Sequence, residues 1–421
     1  MKRFIPFLLL ACLAGSATAQ NGDLFSTVTM RFLSHPANYL KPLDTLLSLQ
    51  AAIAKDAGMR PHFFNELATY SSFIGNYHDA LRYYDSAGFR EQVPASPSGP
   101  AAFSGYRPAS ARQSIIRMAA SRQVTIINEA HHVPYYRLFT KSLLQELYNA
   151  GYRYFALETL GPFDDEINNR KYPVAQDGYY SLEPLYADMV RTALQIGYRL
   201  VYYEFSGTCT GREDCIMKRE QHQAEQLHQV LQKDPAAKML VHVGYSHLRE
   251  APLNGIEWMA ARFRKLSGID PLTINQEFMR ETFNPALQHP AYNAAMKLFK
   301  LLEPSVFVKA DSLWNFAPAD RSCDVLVFHP PYGTVQGRPD YYRLDAARKP
   351  ITLRLKKAYR HVLVQAYIST EKDPGRLPAD QLLLEQGNEA RLMLANGEYD
   401  VVVRNGEGEV LETQRLIIPS S

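Results

Sequence analysis

The sequence predicts an α/β protein, a parallel-sheet core domain preceded by a helical region and followed by an antiparallel β-sandwich. Three observations predict it. Through the middle of the chain, short β-branched runs alternate with amphipathic helical stretches that end at glycines; the part before them is helical throughout; the last part joins its apolar runs by hairpin signals without helices between them. The expected boundaries are a leader at 1–19, a helical region and linker at 20–108, the α/β domain at 109–345 and the sandwich at 346–421.

The leader carries Lys2 and Arg3, an apolar stretch from Phe4 to Leu13, and small residues at Ala17-Thr18-Ala19. That is the pattern of a secretory signal peptide cleaved after Ala19, too short to span a membrane. Leu9-Leu10-Ala11-Cys12 offers the alternative of a lipid anchor at Cys12. Either way the chain is expected to be exported, periplasmic or secreted, with no transmembrane span in its mature form. From Gln20 to Ala87 the pattern is helical, and Gly75-Asn76-Tyr77, Ala80-Leu81, Tyr83-Tyr84 and Ala87 are spaced like the second helix of a tetratricopeptide repeat. A single copy cannot bury its faces as an array does, so an ordinary helical hairpin packed on the main domain is expected. The run Val93 to Pro100, dense in Pro, Ser and Gly, reads as a linker.

Val124 to Ile127 is short and β-branched, as buried strands of parallel sheets are. It ends in Asn128-Glu129-Ala130-His131-His132. Pro134 suits the first turn of a helix whose apolar face is Leu138, Leu143, Leu144 and Leu147, and Gly151 stops it. Tyr152 to Leu157 is the next strand, made parallel to the first by a right-handed crossover, and it ends in Glu158. The alternation continues with a helix from Pro184 to Ile196, a strand from Tyr198 to Tyr203 ending in Glu204, a polar loop from Thr208 to Asp214 and a helix from Lys218 to Gln232. A strand from Lys238 to Val243 then ends in Gly244-Tyr245-Ser246-His247, followed by a helix from Gly255 to Leu266 and strands at Leu272 to Asn275 and Asp324 to Phe328. Four strands thus end at Asn128, Leu157, Tyr203 and Val243 on one edge of the sheet, the edge where open α/β sheets place their sites.

Beyond Ile351 the runs Val362–Tyr367, Ala390–Leu394, Tyr399–Val403 and Val410–Ile418, joined by Asn396-Gly397 and Asn405-Gly406, are hairpin signals. None of the reactive cluster falls there, so this unit is expected to be separable from the site.

With 46 basic and 43 acidic residues, two of the basic ones in the leader, the mature chain is close to neutral and carries no nucleic-acid footprint. A small-molecule or peptide substrate is the expected partner. Cys209 and Cys215 close a short loop and can form a disulfide in an oxidising compartment, whereas Cys323 reads as a small core residue.

A carboxylate and an imidazole three residues apart at a strand end can form a hydrogen-bonded pair, in which Glu129 orients His132 and raises its basicity. Glu158, Glu204, His242 and His247 can then hold a water, donate to a leaving group or ligate a divalent metal such as Zn or Mn. The residues Asn128 to His132 resemble the first motif of the erythromycin esterase family, a Gly-Glu-x-x-His strand end. Gly151 to Glu158 resembles its second motif, and Arg219 to Ala224 falls at its Arg-bearing helix. Val243 to His247 is similar to a Gly-x-x-His motif of the wider group that includes ChaN-type haem-binding lipoproteins and the Tiki and TraB proteins. The resemblance spans about Ser121 to His329 and departs from the family at Asn128, His131 and Val133, where glycine, another residue and glycine are usual. It implies a hydrolase of an ester, lactone or amide, with His132 as general base, Glu129, Glu158 and His247 completing the catalytic set, and Arg219 near the substrate; Glu204, His131 and Tyr245, at the same strand ends, are further candidates for substrate contact. It also implies two alternatives. One is a metal-dependent peptidase with ligands among His132, His242, His247 and Glu158; the other is a non-enzymatic haem or ligand binder using a tyrosine such as Tyr135, Tyr136 or Tyr245.

Overall fold

The computed structural model describes residues 37–88, 99–161, 165–317 and 321–419. The leader and Cys12 lie outside them. Helices α1 (Leu40–Ile53), α2 (Arg60–Phe73) and α3 (Tyr77–Ala87) form the N-terminal region. Gly75, at φ 78°, turns the chain between α2 and α3, and the Asn76 side chain caps α3. This is the hairpin expected, with one helix before it.

The middle of the chain supplies β1 (Arg107–Ser110), α4 (Ala111–Ala119), β2 (Val124–Glu129), α5 (Tyr135–Asn149), β3 (Tyr152–Leu157), α6 (Glu166–Arg170), α7 (Pro184–Ile196) and β4 (Arg199–Val201). It continues with α8 (Arg212–Lys233), β5 (Lys238–Gly244), α9 (Met259–Ser267), β6 (Leu272–Asn275), α10 (Pro290–Leu298), β7 (Ser305–Lys309), β8 (Ser312–Leu313) and β9 (Val325–Leu326). Six of these strands form one sheet in the order β4-β3-β5-β2-β6-β9, and every pairing in it is parallel. The third strand is shorter than its apolar run suggested, and so is the last. Strands β1, β7 and β8 form a small antiparallel sheet of their own.

Alternation along the strands explains why both faces are covered. Val124, Ile126, Met239, Val241 and Val243 point into a core shared with Leu227 and Leu231 of α8 and Met259 and Phe263 of α9. Ile127 and Leu240 point the other way, onto Leu143, Leu144 and Leu147 of α5 and Met189, Val190 and Leu194 of α7. A strand buried on both faces reads as a continuous apolar run, as these do. Strands β2 and β3 are parallel, as expected, but not neighbours, because β5 lies between them.

The chain then forms a short hairpin of β10 (Thr334–Val335) and β11 (Arg338–Pro339), and the C-terminal unit of β12 (Lys349–Ile368), β13 (Asp380–Leu394), β14 (Gly397–Arg404) and β15 (Val410–Ile418). These last four make one antiparallel sheet in the order β13-β12-β14-β15. The β12–β13 register shifts between Arg354 and Tyr359. Leu353 and Leu355 before the shift share a core with Val362, Val364 and Ala366 after it.

The sequence suggested a separable unit, but this sheet shares a core and buried ion pairs with the rest of the chain. Leu363 and Leu377 are part of the core of the N-terminal helices, with Leu43, Phe63 and Phe73. Arg191 of α7 makes a two-pronged, buried ion pair with Glu371 (2.6 and 2.9 Å), and Arg338 pairs with Asp380 at 2.6 Å. A chain ending after Arg348 leaves Arg191 and Arg338 buried without their carboxylates, at about 3–5 kcal/mol for each broken pair. Such a truncation is expected to abolish the cooperative thermal transition, read by circular dichroism; a melt like that of the longer chain would show that the sheet is an appendage.

Candidate functional site

The carboxyl ends of β2, β3, β4 and β5 lie on one edge, and the side chains beyond them form two buried hydrogen-bonded clusters. In the first, Glu129 continues the face of Ile127 and so points towards α5 and α7. Arg137, in the first turns of α5, clamps it with Nε to Oε2 at 2.7 Å and Nη2 to Oε1 at 2.8 Å. The same guanidinium donates to Glu183 Oε2 at 2.9 Å, and Glu183 caps the start of α7. Burial alone would favour a neutral Glu129, but Arg137 and its hydrogen bonds outweigh it and hold the carboxyl well below the usual range.

The imidazole that Glu129 holds is His131. Its Nδ1 lies 3.0 Å from Glu129 Oε1, its ring is stacked on Tyr180 at 3.7 Å, and Tyr245 stands edge-on to it at 4.9 Å. With Nδ1–H donating to the carboxylate, Nε2 carries the free lone pair. That nitrogen faces Gly244, which pairs with Glu129 in the sheet. A Cβ on Gly244 would stand 2.5 Å from His131 Nε2 and 3.0 Å from Glu158 Oε2, so the missing side chain is the room in which the two groups approach each other.

The pairing expected between Glu129 and His132 is therefore corrected. The chain turns after Glu129, His131 keeps to the Glu129 side, and His132 swings outward to stack on Tyr84 of α3 at 3.7 Å. Among the described residues neither His132 ring nitrogen has a hydrogen-bond partner. Burial, then the charge of Arg280, keep His132 neutral, its pKa far below the ordinary value.

The second cluster surrounds Arg219 on α8. Its guanidinium binds Glu204 through Nε at 2.8 Å and through Nη2, reaches Glu158 Oε1 at 2.5 Å, and approaches His247 Nε2 at 2.9 Å. Gln223, one helical turn on, also donates to Glu204. Glu158 further accepts from the Gly244 amide. Burial opposes its charge, yet His247, Arg219 and His131 together hold its pKa low. His247 Nδ1 lies 2.8 Å from Glu220, which also accepts from the first amide of α9 at 2.7 Å. Burial and Arg219 work against charging this ring, but Glu220 and Glu158 prevail and raise its pKa. The approach of Arg219 to Nε2 is that of a donor to an unprotonated nitrogen, with Nδ1–H on Glu220.

His242 is a core histidine. It packs edge-on against Tyr186 and Phe155, its Nε2 is 3.7 Å from Glu129, and burial lowers its pKa to about 4. The proposed metal ligands His132, His242, His247 and Glu158 thus do not share a centre, since His132 lies on Tyr84, His242 below Glu129, and only His247 and Glu158 are close. Among the described residues no group of three His, Cys, Asp or Glu side chains is placed to hold a metal ion. Of the tyrosines considered as haem ligands, Tyr135 and Tyr136 are buried against His329, and Tyr245 lies between His131 and Tyr84.

Asn128, at the motif's glycine position, ties three strand ends together: its amide donates to the Tyr245 carbonyl at 2.9 Å and its oxygen accepts from the Gln276 amide at 2.8 Å. Tyr245 is held at φ 41°, a strained conformation for a tyrosine. Arg137, Glu220, Tyr180 and Tyr84 were not singled out from the sequence. Only Glu220, adjacent to Arg219, carried a local signal. Cys209 and Cys215 form a disulfide just before and within the first turn of α8, and Cys323 is buried.

No family model and no curated protein matches the sequence. Solved structures show partial likeness. The type III effector HopBA1 is 14% identical, with 45% of this chain and 88% of that chain covered and a TM-score of 0.30. A structure described as bacterial protein toxins is 14% identical, with 53% and 48% covered and a TM-score of 0.32. RRSP, a MARTX toxin effector domain from Vibrio vulnificus, is 15% identical, with 56% and 45% covered and a TM-score of 0.29. The chain spans about half the length of these last two. Among the described residues no helix is long and apolar enough to cross a membrane.

Proposed function

We propose that the protein is an exported hydrolase that uses His131 to activate water against the carbonyl of an ester, lactone or amide. The observation that carries this is the Glu129–His131 pair, in which a clamped carboxylate holds Nδ1–H and turns the Nε2 lone pair towards Glu158. That is the geometry of a general base. Nε2 takes a proton from water as its oxygen adds to the carbonyl carbon, and the ionised Glu129 stabilises the imidazolium that results. Arg219, with 28% of its side chain exposed, is the positive group available to the oxyanion, and Glu204 holds it there. His131, once protonated at Nε2, returns that proton to the leaving oxygen or nitrogen, while His247 helps to place Arg219 and Glu158. The disulfide and the leader pattern support export.

The test is a panel of ester, lactone and peptide substrates with and without chelator, run on the wild type and on Glu158→Gln. The expected result is turnover of at least one class, lowered in Glu158→Gln, which removes one of the two carboxylates that place Arg219. No turnover of any class by the wild type would end the reading.

A further inference from the structure

We propose that Arg280, with Tyr136 and His132, forms an anion-binding subsite beside His131, so that the substrate is an ester or amide that carries a carboxylate or similar anionic group at a distance from the scissile bond. This rests on the hydrolase reading and narrows its substrate.

Arg280 follows β6, the neighbour of β2 on the side away from β5, and so reaches the same edge of the sheet. Arg137, Arg191, Arg219, Arg338 and Arg348 each meet at least one carboxylate. Arg280 meets none. Half-buried, it lies over the Tyr84 ring at 5.2 Å from the centroid, and its hydrogen bond is a long one, 3.3 Å, from Nη1 to the Glu281 carbonyl. Glu277 lies within electrostatic range of it. A guanidinium has five N–H donors, and among the described residues one of those of Arg280 is engaged, leaving others for a ligand.

Two neighbours share this condition. The Tyr136 hydroxyl is buried and has no hydrogen-bond partner, and the His132 nitrogens have none. Leaving a buried polar group unmet costs about 1–3 kcal/mol, so His132, stacked on the Tyr84 ring that Arg280 also overlies, and Tyr136 are groups that a ligand can complete. Both groups feel Arg280, whose charge depresses the His132 pKa and opposes the upward shift of Tyr136. A cation, a hydroxyl donor and a neutral imidazole donor together select an anion rather than a cation. Tyr84 is stacked parallel to Tyr245, centroids 6.3 Å apart, and Tyr245 stands against His131. The path from Arg280 to His131 therefore runs along two aromatic rings, whose apolar character suits an aliphatic spacer between anion and carbonyl.

The test compares mono-p-nitrophenyl glutarate with p-nitrophenyl valerate, acyl chains of equal length that end in a carboxylate and a methyl group. Wild type is expected to prefer the glutarate ester in kcat/KM by about tenfold or more, and Arg280→Met to lower the glutarate-to-valerate ratio about 10–100-fold, mainly through KM, as loss of a charged hydrogen bond predicts. Arg280→Lys should retain part of the preference, and Tyr136→Phe, checked for folding by circular dichroism, should lose part. Hydrolysis of both esters with a ratio that none of these variants changes would overturn the subsite and leave the hydrolase intact. If wild type hydrolyses neither ester, calorimetry with free glutarate decides: binding that Arg280→Met and Tyr136→Phe weaken upholds the subsite without the hydrolase, and no binding, or binding they leave unchanged, overturns it.

Discussion

His131→Ala is expected to lower turnover by about two to four orders of magnitude, the usual contribution of a positioned proton acceptor. The adjacent His132→Ala should act mainly on KM, with kcat within about tenfold of wild type, because that ring lies on Tyr84 and away from Glu129. Glu129→Gln falls between them. The glutamine oxygen still accepts from Nδ1–H, but the charge that stabilises the imidazolium is gone. Steady-state kinetics on any substrate that the wild type turns over will separate the three. If His132→Ala abolishes turnover and His131→Ala leaves kcat unchanged, the base is His132 and the stacking on Tyr84 is broken during catalysis.

Arg137→Met is expected to destabilise the fold by about 3–5 kcal/mol, because the guanidinium is the cation shared by Glu129 and Glu183, all three buried. The double variant Arg137→Met/Glu129→Gln should recover part of the loss, since one of the two stranded charges has been removed. Urea unfolding at neutral pH measures both; a single variant as stable as wild type would mean that water reaches this cluster and the clamp does little. The wild type should show the same interaction as acid sensitivity. The folded-state pKa of Glu129 is depressed, so its contribution to stability is fully present above the ordinary glutamate value of about 4.3 and is lost as pH falls towards the folded value. Arg137→Met should flatten that dependence, because it removes the main cause of the depression.

What the sequence by itself determined was the layered part of the protein. The parallel strands at Val124, Tyr152 and Lys238, the helices between them and the shared edge beyond were legible because each rests on local pattern: apolar runs buried on both faces, amphipathic helices, glycine stops. The residues at that edge were legible too, since a strand's end places whatever follows it. The tertiary structure alone decided how those residues pair. Strand β5 enters between β2 and β3, a choice of sheet order that no local pattern encodes, and it puts Gly244 between His131 and Glu158. Which of two adjacent histidines Glu129 holds depends on the direction the chain takes after its last ladder bond and on partners far away in sequence: Arg137 on one side, and Tyr84, from a different region, on the other. The docking of the C-terminal sheet was hidden for the same reason. The charges that fasten it, Glu371 and Asp380, look like surface residues until Arg191 and Arg338 are found opposite them, because a charge is buried or exposed according to its partner and not according to its neighbours in the chain.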